Sequence, residues 1–242
     1  LNVPPGFVIT TEACLDYLEN DALPEGLMDQ VHDHIGRLEA ATGRKFGSSD
    51  NPLLVSVRSG SAMSMPGMMD TILNLGLNDQ TIAGLIHQTG NDRFVYDSYR
   101  RLIQLFGKIA LGVADEHFDE WMNAVKSRNG LQLDVDLSVD HLKEICSGYF
   151  DIIRTQTGNP FPQDPYEQLK ISVQAVFRSW NGRRAVDYRR QFKITKDMAN
   201  GTAVNICTMV FGNMGSDCAT GVGFTRNPGT GENIIFGEYL VN

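Results

Sequence analysis

The chain has 242 residues, 42% of them hydrophobic and 21% charged, with 29 acidic against 21 basic side chains and a formal net charge of −8. A chain of this size buries roughly 70–75% of its unfolded surface, as one large domain or two small ones, and its acidity argues against a general nucleic-acid binder, which carries a basic face. No apolar run reaches the roughly 18 residues of a membrane helix, and Cys14, Cys146, Cys207 and Cys218 form no C-x-x-C pair, which excludes a dense disulfide scaffold and a zinc ribbon and fits a reduced, cytoplasmic setting.

Residue 1 is leucine, without the basic and apolar regions of a signal peptide, and the last residues, Ile234 to Asn242, read as a strand cut in mid-element. The expectation is a fragment. In chain order, Phe7-Val8-Ile9 follows a Pro-Pro-Gly turn and reads as a strand entering the core. Thr10 and Thr11 are placed to cap a helix running to about Asn20. Pro24 suits the first turn of a second helix, where Leu27, Val31, Ile35 and Leu38 recur at three or four residues and Gly43 stands at the C-terminal glycine position.

Leu53-Leu54-Val55-Ser56-Val57 is a buried-strand candidate, and the Met-rich stretch 58–70 has no period and reads as a structured loop. From about Asp79 to Thr157 the pattern is helical throughout, with Phe94, Val95, Leu102, Ile103, Phe106 and Ile109 in one apolar stripe. Asn159-Pro160-Phe161-Pro162 is a break, and Leu169, Val173, Val176, Phe177 and Trp180 mark one more helix. After Asn181 the segments 185–188, 202–210, 221–225 and 233–241 read as short β elements between glycine turns. The order is therefore mixed α/β over 1–78, helical over 79–163 and β-rich over 164–242, as though a helical block were inserted between two sheet-containing parts of an α+β unit.

A strand that ends in Arg58 and turns through Ser59-Gly60-Ser61 presents a guanidinium fork, small hydroxyls and a backbone able to approach an anion, which suits phosphate oxygens. An arginine paired with a carboxylate at a strand end gives the same pattern. Met63, Met65, Met68 and Met69 fit either a soft wall beside a ligand or a loop folded into the core. Asp70 suits a metal or an arginine. Adjacent Arg100 and Arg101 diverge by about 100° on a helix, so at most one faces inward. Arg178, Arg183, Arg184, Arg189, Arg190 and Lys193 make a local basic segment that fits an anionic ligand or a solvated face. The apolar run 203–210 before Phe211-Gly212-Asn213 fits a hinge beside a purine edge, or a plain core strand. The five histidines, His32, His34, His87, His117 and His141, fall in predicted helices with polar surroundings, and no metal ligand set or catalytic nucleophile is expected here.

Taken together, Val3-Pro4-Pro5-Gly6-Phe7, Ser56-Val57-Arg58-Ser59-Gly60, Ser64-Met65-Pro66-Gly67-Met68-Met69-Asp70-Thr71, Leu73-Asn74-Leu75-Gly76-Leu77-Asn78-Asp79, Tyr96-Asp97-Ser98-Tyr99-Arg100-Arg101, Phe177-Arg178-Ser179-Trp180, Gly201-Thr202-Ala203-Val204-Asn205, Met209-Val210-Phe211-Gly212-Asn213 and Phe224-Thr225-Arg226-Asn227-Pro228 occur in the order found in the pyruvate, phosphate dikinase family, which this chain resembles over essentially its whole length. Phosphoenolpyruvate synthases share the valine-arginine-serine core but not the Ser-Met-Pro-Gly-Met-Met-Asp run or the Thr-Arg-Asn-Pro turn.

The resemblance implies an ATP-grasp-like nucleotide-binding domain with an inserted all-helical subdomain. It implies that Mg2+ and ATP bind here, and that the β-phosphoryl passes to a histidine on a separate swivelling domain while inorganic phosphate takes the γ-phosphoryl. Arg58 corresponds to the family arginine that grips the triphosphate, Met209 and Val210 to the strand beside adenine, and Lys193 and Arg226 are further candidates for phosphate contacts. The phosphohistidine and the pyruvate-binding domain would lie elsewhere in the same full-length chain, a homodimer. The family's Gly-Gly-Lys and Gln-Gly-Glu-Asp segments would lie before Leu1 and after Asn242. Cys207 stands where the family often has glutamine. The rival readings are a water dikinase of the synthase type and a non-catalytic docking module built on the helical block.

Overall fold

The computed structural model describes residues 2–242. Strand β1 (Gly6–Ile9) leads into helix α1 (Thr11–Asn20), entered from an extended Thr10 and closed by Asp21, whose amide donates to the Tyr17 carbonyl at 2.8 Å. Helix α2 (Leu27–Thr42) starts from Gly26 at φ 72°, two residues after Pro24, and stops at Gly43, φ 68°, whose amide donates to the Glu39 carbonyl. Both glycines hold a left-handed backbone that a side chain would strain. Val31, Ile35 and Leu38 form its buried stripe.

Strands β2 (Lys45–Phe46) and β3 (Pro52–Leu53) make a short parallel pair before β4 (Val55–Gly60) and β5 (Thr71–Leu75). The loop expected over 58–70 therefore begins later, because Arg58, Ser59 and Gly60 still pair within β4. No strand is expected from the sequence over 71–75. β5 forms there because Ile72 opposes Val57 and Leu75 opposes Val55, all fully buried, and a tertiary pairing of this kind leaves little local signal.

The helical stretch divides into α3 (Thr81–Thr89), α4 (Asp92–Ile109), α5 (Asp115–Arg128) and α6 (Val139–Thr157), with a short 3-10 turn before α6. Asn91 caps α4 by accepting from the Phe94 amide at 3.1 Å, and Ser138 caps α6 by accepting from the His141 amide at 3.3 Å. α4 packs along α6 and against β5. Phe118 of α5 meets Tyr149 of α6 edge-on at 4.9 Å, next to Gly107, where a Cβ would come within 2.6 Å of the Phe118 ring.

Helix α7 (Pro165–Ser179) opens with Pro165 at its first turn and Asp164 accepting from the Glu167 amide at 2.8 Å. Its buried Gln168 bonds to the Gly76 amide and to the carbonyls of Leu77 and Pro162, so a polar side chain in the core is fully used. The strand expected over 185–188 is instead part of α8 (Arg183–Gln191). Gly182 precedes it, Ala185 is buried, and Asp187 pairs with Arg183 and Arg190 at helical spacing, 3.7 and 3.6 Å. Those i,i+4 and i,i+3 contacts exist only on a helix. Residues 164–242 thus begin with two helices before their strands.

Strand β6 (Ala203–Thr208) returns to the first sheet, whose order is β1-β6-β4-β5 with every neighbour antiparallel. Helices α1 and α7 cover one face. One hydrophobic cluster runs from Val57, Ile72, Val204 and Ile206 through Val173, Val176 and Phe177 of α7 into Leu102, Phe106, Tyr149 and Ile153. Strands β7 (Ala219–Phe224) and β8 (Phe236–Val241) form a separate exposed hairpin. No helix among the described residues is long and apolar enough to cross a membrane.

Gly84, in α3, lies against the 48–50 loop, and a Cβ there would sit 2.2 Å from the Ser49 carbonyl oxygen. Alanine normally stabilises a helix interior by roughly 0.5–1 kcal/mol over glycine. Here the backbone clash outweighs that gain, and Gly84→Ala is expected to destabilise the fold by about 1–3 kcal/mol. Urea titration measures it; an unfolding midpoint at or above that of the parent chain contradicts this packing.

Candidate functional site

Directly opposed residues of a sheet point to the same side, and neighbours alternate. Two rows therefore face away from the core. One runs Val8, Asn205, Arg58, Thr71, and the other Gly6, Cys207, Ser56. Val8, Asn205 and Arg58 are exposed. The alternate rows, with Phe7, Ile206, Val57 and Ile72 in one and Ile9, Val204 and Ser59 in the next, turn towards α1 and α7.

Arg58 thus projects from the open face of the sheet. Its Nε–H donates to Ser56 Oγ at 3.1 Å. Among the described residues, no carboxylate lies within ion-pair distance of its guanidinium. The alternative reading, an arginine paired with a carboxylate at a strand end, thus finds no partner for Arg58 among the described residues. Ser59, its neighbour, belongs to the core-facing row opposite Val204. The Gly60 amide donates to Thr202 Oγ1 at 3.2 Å. Met209 continues β6, half-buried, and its amide donates to the Leu54 carbonyl at 2.9 Å, while Val210 is exposed. Arg58, Ser59, Gly60, Met209 and Val210 are therefore joined through β4 and β6.

Lys193 and Arg226 lie in turns outside that sheet. Lys193 is exposed in a left-handed conformation, φ 52°, just after α8. Arg226 is exposed in the β7–β8 connection, where its Nη1 donates to the Gly231 carbonyl at 3.3 Å.

Several other arginines are taken up by the fold. Arg184 of α8 donates to Asp70 at 2.9 Å and to the Gly67 carbonyl, strapping the Met-rich loop; Asp70 is thus an arginine partner. Arg189 stacks over Trp180 at 3.9 Å, and Arg178 donates to the Tyr17 hydroxyl at 2.9 Å. Arg100 is buried and Arg101 exposed, as helical geometry requires, and both grip Asp97, at 2.7 and 2.9 Å. Burial opposes the Arg100 charge, but Asp97 outweighs it, and the guanidinium is held above its ordinary pKa. Within the Met-rich loop Met65 is buried in the core, with Met68 and Met69 half-buried against it and Met63 at the surface.

Sequence reasoning missed Asn205 and Ser56. Both were signalled: Asn205 is the one amide inside an apolar strand, and Ser56 precedes Arg58 by two residues, which on a strand means the same face. A cleft of about 730 Å3 between α5 and α6, lined by Trp121, Gly148, Glu120 and Glu144, lies on other elements than the sheet. Among the described residues no three of His, Cys, Asp and Glu gather closely enough to hold a metal ion.

The chain matches the family model described as pyruvate phosphate dikinase, AMP/ATP-binding domain, over residues 23–241. It is 57% identical to the pyruvate, phosphate dikinase of Entamoeba histolytica, over all of this chain and 28% of that relative. It is 51% identical to that of Giardia intestinalis, over 99% of this chain and 27% of the relative, and 50% identical to that of Clostridium symbiosum, over 99% and 28%. The chain thus spans little more than a quarter of the length of these relatives.

The four thiols divide by environment. Burial pushes the Cys146 thiol up to about 12, against the opposing pull of Arg100, and raises Cys14 as well. Cys207 and Cys218 are half-exposed. At pH 8 iodoacetamide is expected to modify Cys207 and Cys218 in the native chain, and Cys14 and Cys146 only after unfolding, since the thiolate is the reacting species. Peptide mass spectrometry reads this out; native labelling of Cys146 contradicts the α4–α6 packing.

Proposed function

The chain belongs to the family of the pyruvate phosphate dikinase AMP/ATP-binding domain, and from that premise we propose that it is the ATP-binding part of a pyruvate, phosphate dikinase. The observation that carries the reading in this chain is Arg58, an arginine without a carboxylate partner among the described residues, held on the open face of a rigid sheet. A triphosphate supplies the negative charge that the fold withholds from it. Arginine suits the task because it stays ionised and offers parallel donors to phosphate oxygens.

In this reading the open face of β4 and β6 holds the nucleotide. Arg58 neutralises phosphate oxygens, and the backbone at Met209 and Val210 borders the adenine. Gly60 shapes the strand end. Lys193 and Arg226 are further phosphate contacts, reached only if the turns that carry them close over the nucleotide. Ser59 supports the strand from the core side. The unit is ATP-grasp-like, divided as 1–78, 79–163 and 164–242, with the middle part an inserted helical subdomain. Mg2+ accompanies ATP in the full reaction; the described residues hold no cluster fitted to it.

The overall reaction proposed for the full-length enzyme is pyruvate, ATP and phosphate giving phosphoenolpyruvate, AMP and diphosphate. The β-phosphoryl passes to a histidine of a separate swivelling domain, and phosphate takes the γ-phosphoryl. Such transfers ask the protein chiefly for positioning and charge stabilisation. That enzyme would be a cytoplasmic homodimer. A phosphate-consuming reaction is favoured over a water dikinase by the names of the relatives.

Arg58→Ala in the full-length protein is expected to lower ATP-dependent AMP formation by at least ~10²-fold, the usual cost of losing a charge-stabilising donor. Steady-state AMP release measures it, and unchanged turnover overturns the assignment. AMP release that is independent of inorganic phosphate would instead identify the water dikinase.

A further inference from the structure

We propose that Ser56 is a positioning residue for this site: its buried hydroxyl takes the Arg58 Nε–H and presents the guanidinium end-on, with Nη1 and Nη2 directed to the phosphate oxygens. The inference rests on the reading of Arg58 given above and deepens it.

Ser56 is 1% exposed, so its hydroxyl has no solvent to satisfy it. A serine hydroxyl has one proton and two lone pairs. The proton points to the Cys207 carbonyl of β6, at 3.4 Å. The oxygen is thereby left as an acceptor, and it accepts from Arg58 Nε at 3.1 Å. The chain of bonds runs from the backbone of one strand, through a side chain of the next, to the guanidinium.

A guanidinium engages an oxyanion side-on through Nε and one Nη, or end-on through both Nη atoms. With Nε engaged by Ser56, the side-on mode is closed and the end-on edge is free. No other residue hydrogen-bonds to the Arg58 side chain among the described residues, so without Ser56 the fork has nothing to hold its orientation. An arginine side chain carries rotamer entropy that binding must otherwise remove, and a fork already oriented avoids part of that cost.

The test uses the full-length protein and four variants: Ser56→Ala, Ser56→Thr, Arg58→Ala and the Ser56→Ala/Arg58→Ala pair. ATP-dependent AMP release gives kcat and KM for ATP, and thermal unfolding reports the fold. Ser56→Ala is expected to lower kcat/KM for ATP about tenfold, the scale of a lost orienting contact, with an unchanged melting midpoint. Ser56→Thr keeps the hydroxyl and restores activity. In the pair, removing Ser56 has no further effect once Arg58 is gone, the signature of two residues acting through one contact.

If Arg58→Ala loses activity and Ser56→Ala does not, the positioning role falls and the nucleotide reading stands. An equal loss from Ser56→Ala with and without Arg58 makes Ser56 merely structural and likewise overturns the proposal. Unchanged activity in Arg58→Ala overturns the nucleotide reading, and this inference with it. Should Ser56→Ala fail to fold, Ser56→Cys takes its place, with a somewhat larger side chain that fills the site and a much weaker acceptor, and the same outcomes decide.

Discussion

The architecture depends on one long-range pairing, the insertion of β6 between β1 and β4. Residues 203–208 lie between strands that the chain completed far earlier, and the closure is fastened at both ends. Thr202 Oγ1 meets the Gly60 amide across 142 residues of sequence, and the Met209 amide meets the Leu54 carbonyl. Closing a loop of that length costs about 4 kcal/mol beyond its constant term, by the (3/2)RT ln n scaling. Val204 and Ile206 are fully buried, and at roughly 1.5–3 kcal/mol each their burial is of the same order as that cost. That burial comes from α1 and α7, which cover this face of the sheet, so strand insertion and helix packing stabilise one another.

The same pairing separates charge from core. Because β6 runs antiparallel to both neighbours, the apolar positions of three strands fall on one side and Asn205, Arg58 and Ser56 on the other. In a chain of net charge −8, several arginines have acids at hand. Arg100 and Arg101 share Asp97, Arg184 takes Asp70, and Asp187 lies between Arg183 and Arg190. The basic segment over 178–193 is thus absorbed largely by the fold, through carboxylates, Trp180 and Tyr17. Arg58 differs by its sheet position: the residues opposite it are a threonine and an asparagine, so the face offers hydrogen-bonding neighbours and no countercharge.

Much of this was legible in the sequence where the signal was local. The spacing of Val31, Ile35 and Leu38 places α2, and Gly43 ends it, because a helical stripe and a left-handed glycine act within a few residues. The two departures have one cause. β5 exists because Ile72 finds Val57 across the sheet, and 185–188 is helical with Ala185 buried and Arg189 lying over Trp180, the exposed pairs of Asp187 adding little. Short apolar or β-branched runs do not carry that information; their partners decide. For the site, Arg58, Ser59 and Gly60 were legible as a phosphate-suited strand end, but which of them faces outward depends on where β4 continues to pair. Since the strand extends to Gly60, alternation sends Arg58 out and Ser59 in.

That alternation also sets what Arg58 is worth. An arginine in water gains little from an exposed ionic contact, of the order of 0–1 kcal/mol, because solvent screens it and its side chain must be ordered. The exposure of Arg58 means that its contribution grows only as a ligand displaces that water, and the part that can be arranged beforehand is orientation. A firm support supplies it: Ser56 is buried, it pairs with Cys207 of β6 beside a register shift in the β4–β5 ladder, and its hydroxyl donates to the β6 backbone. A lysine at this position would have no Nε–H to anchor and would present a single mobile charge. Arginine can be held at one nitrogen and remain free at two, and that division of donors joins the closure of the sheet to the recognition of an anion.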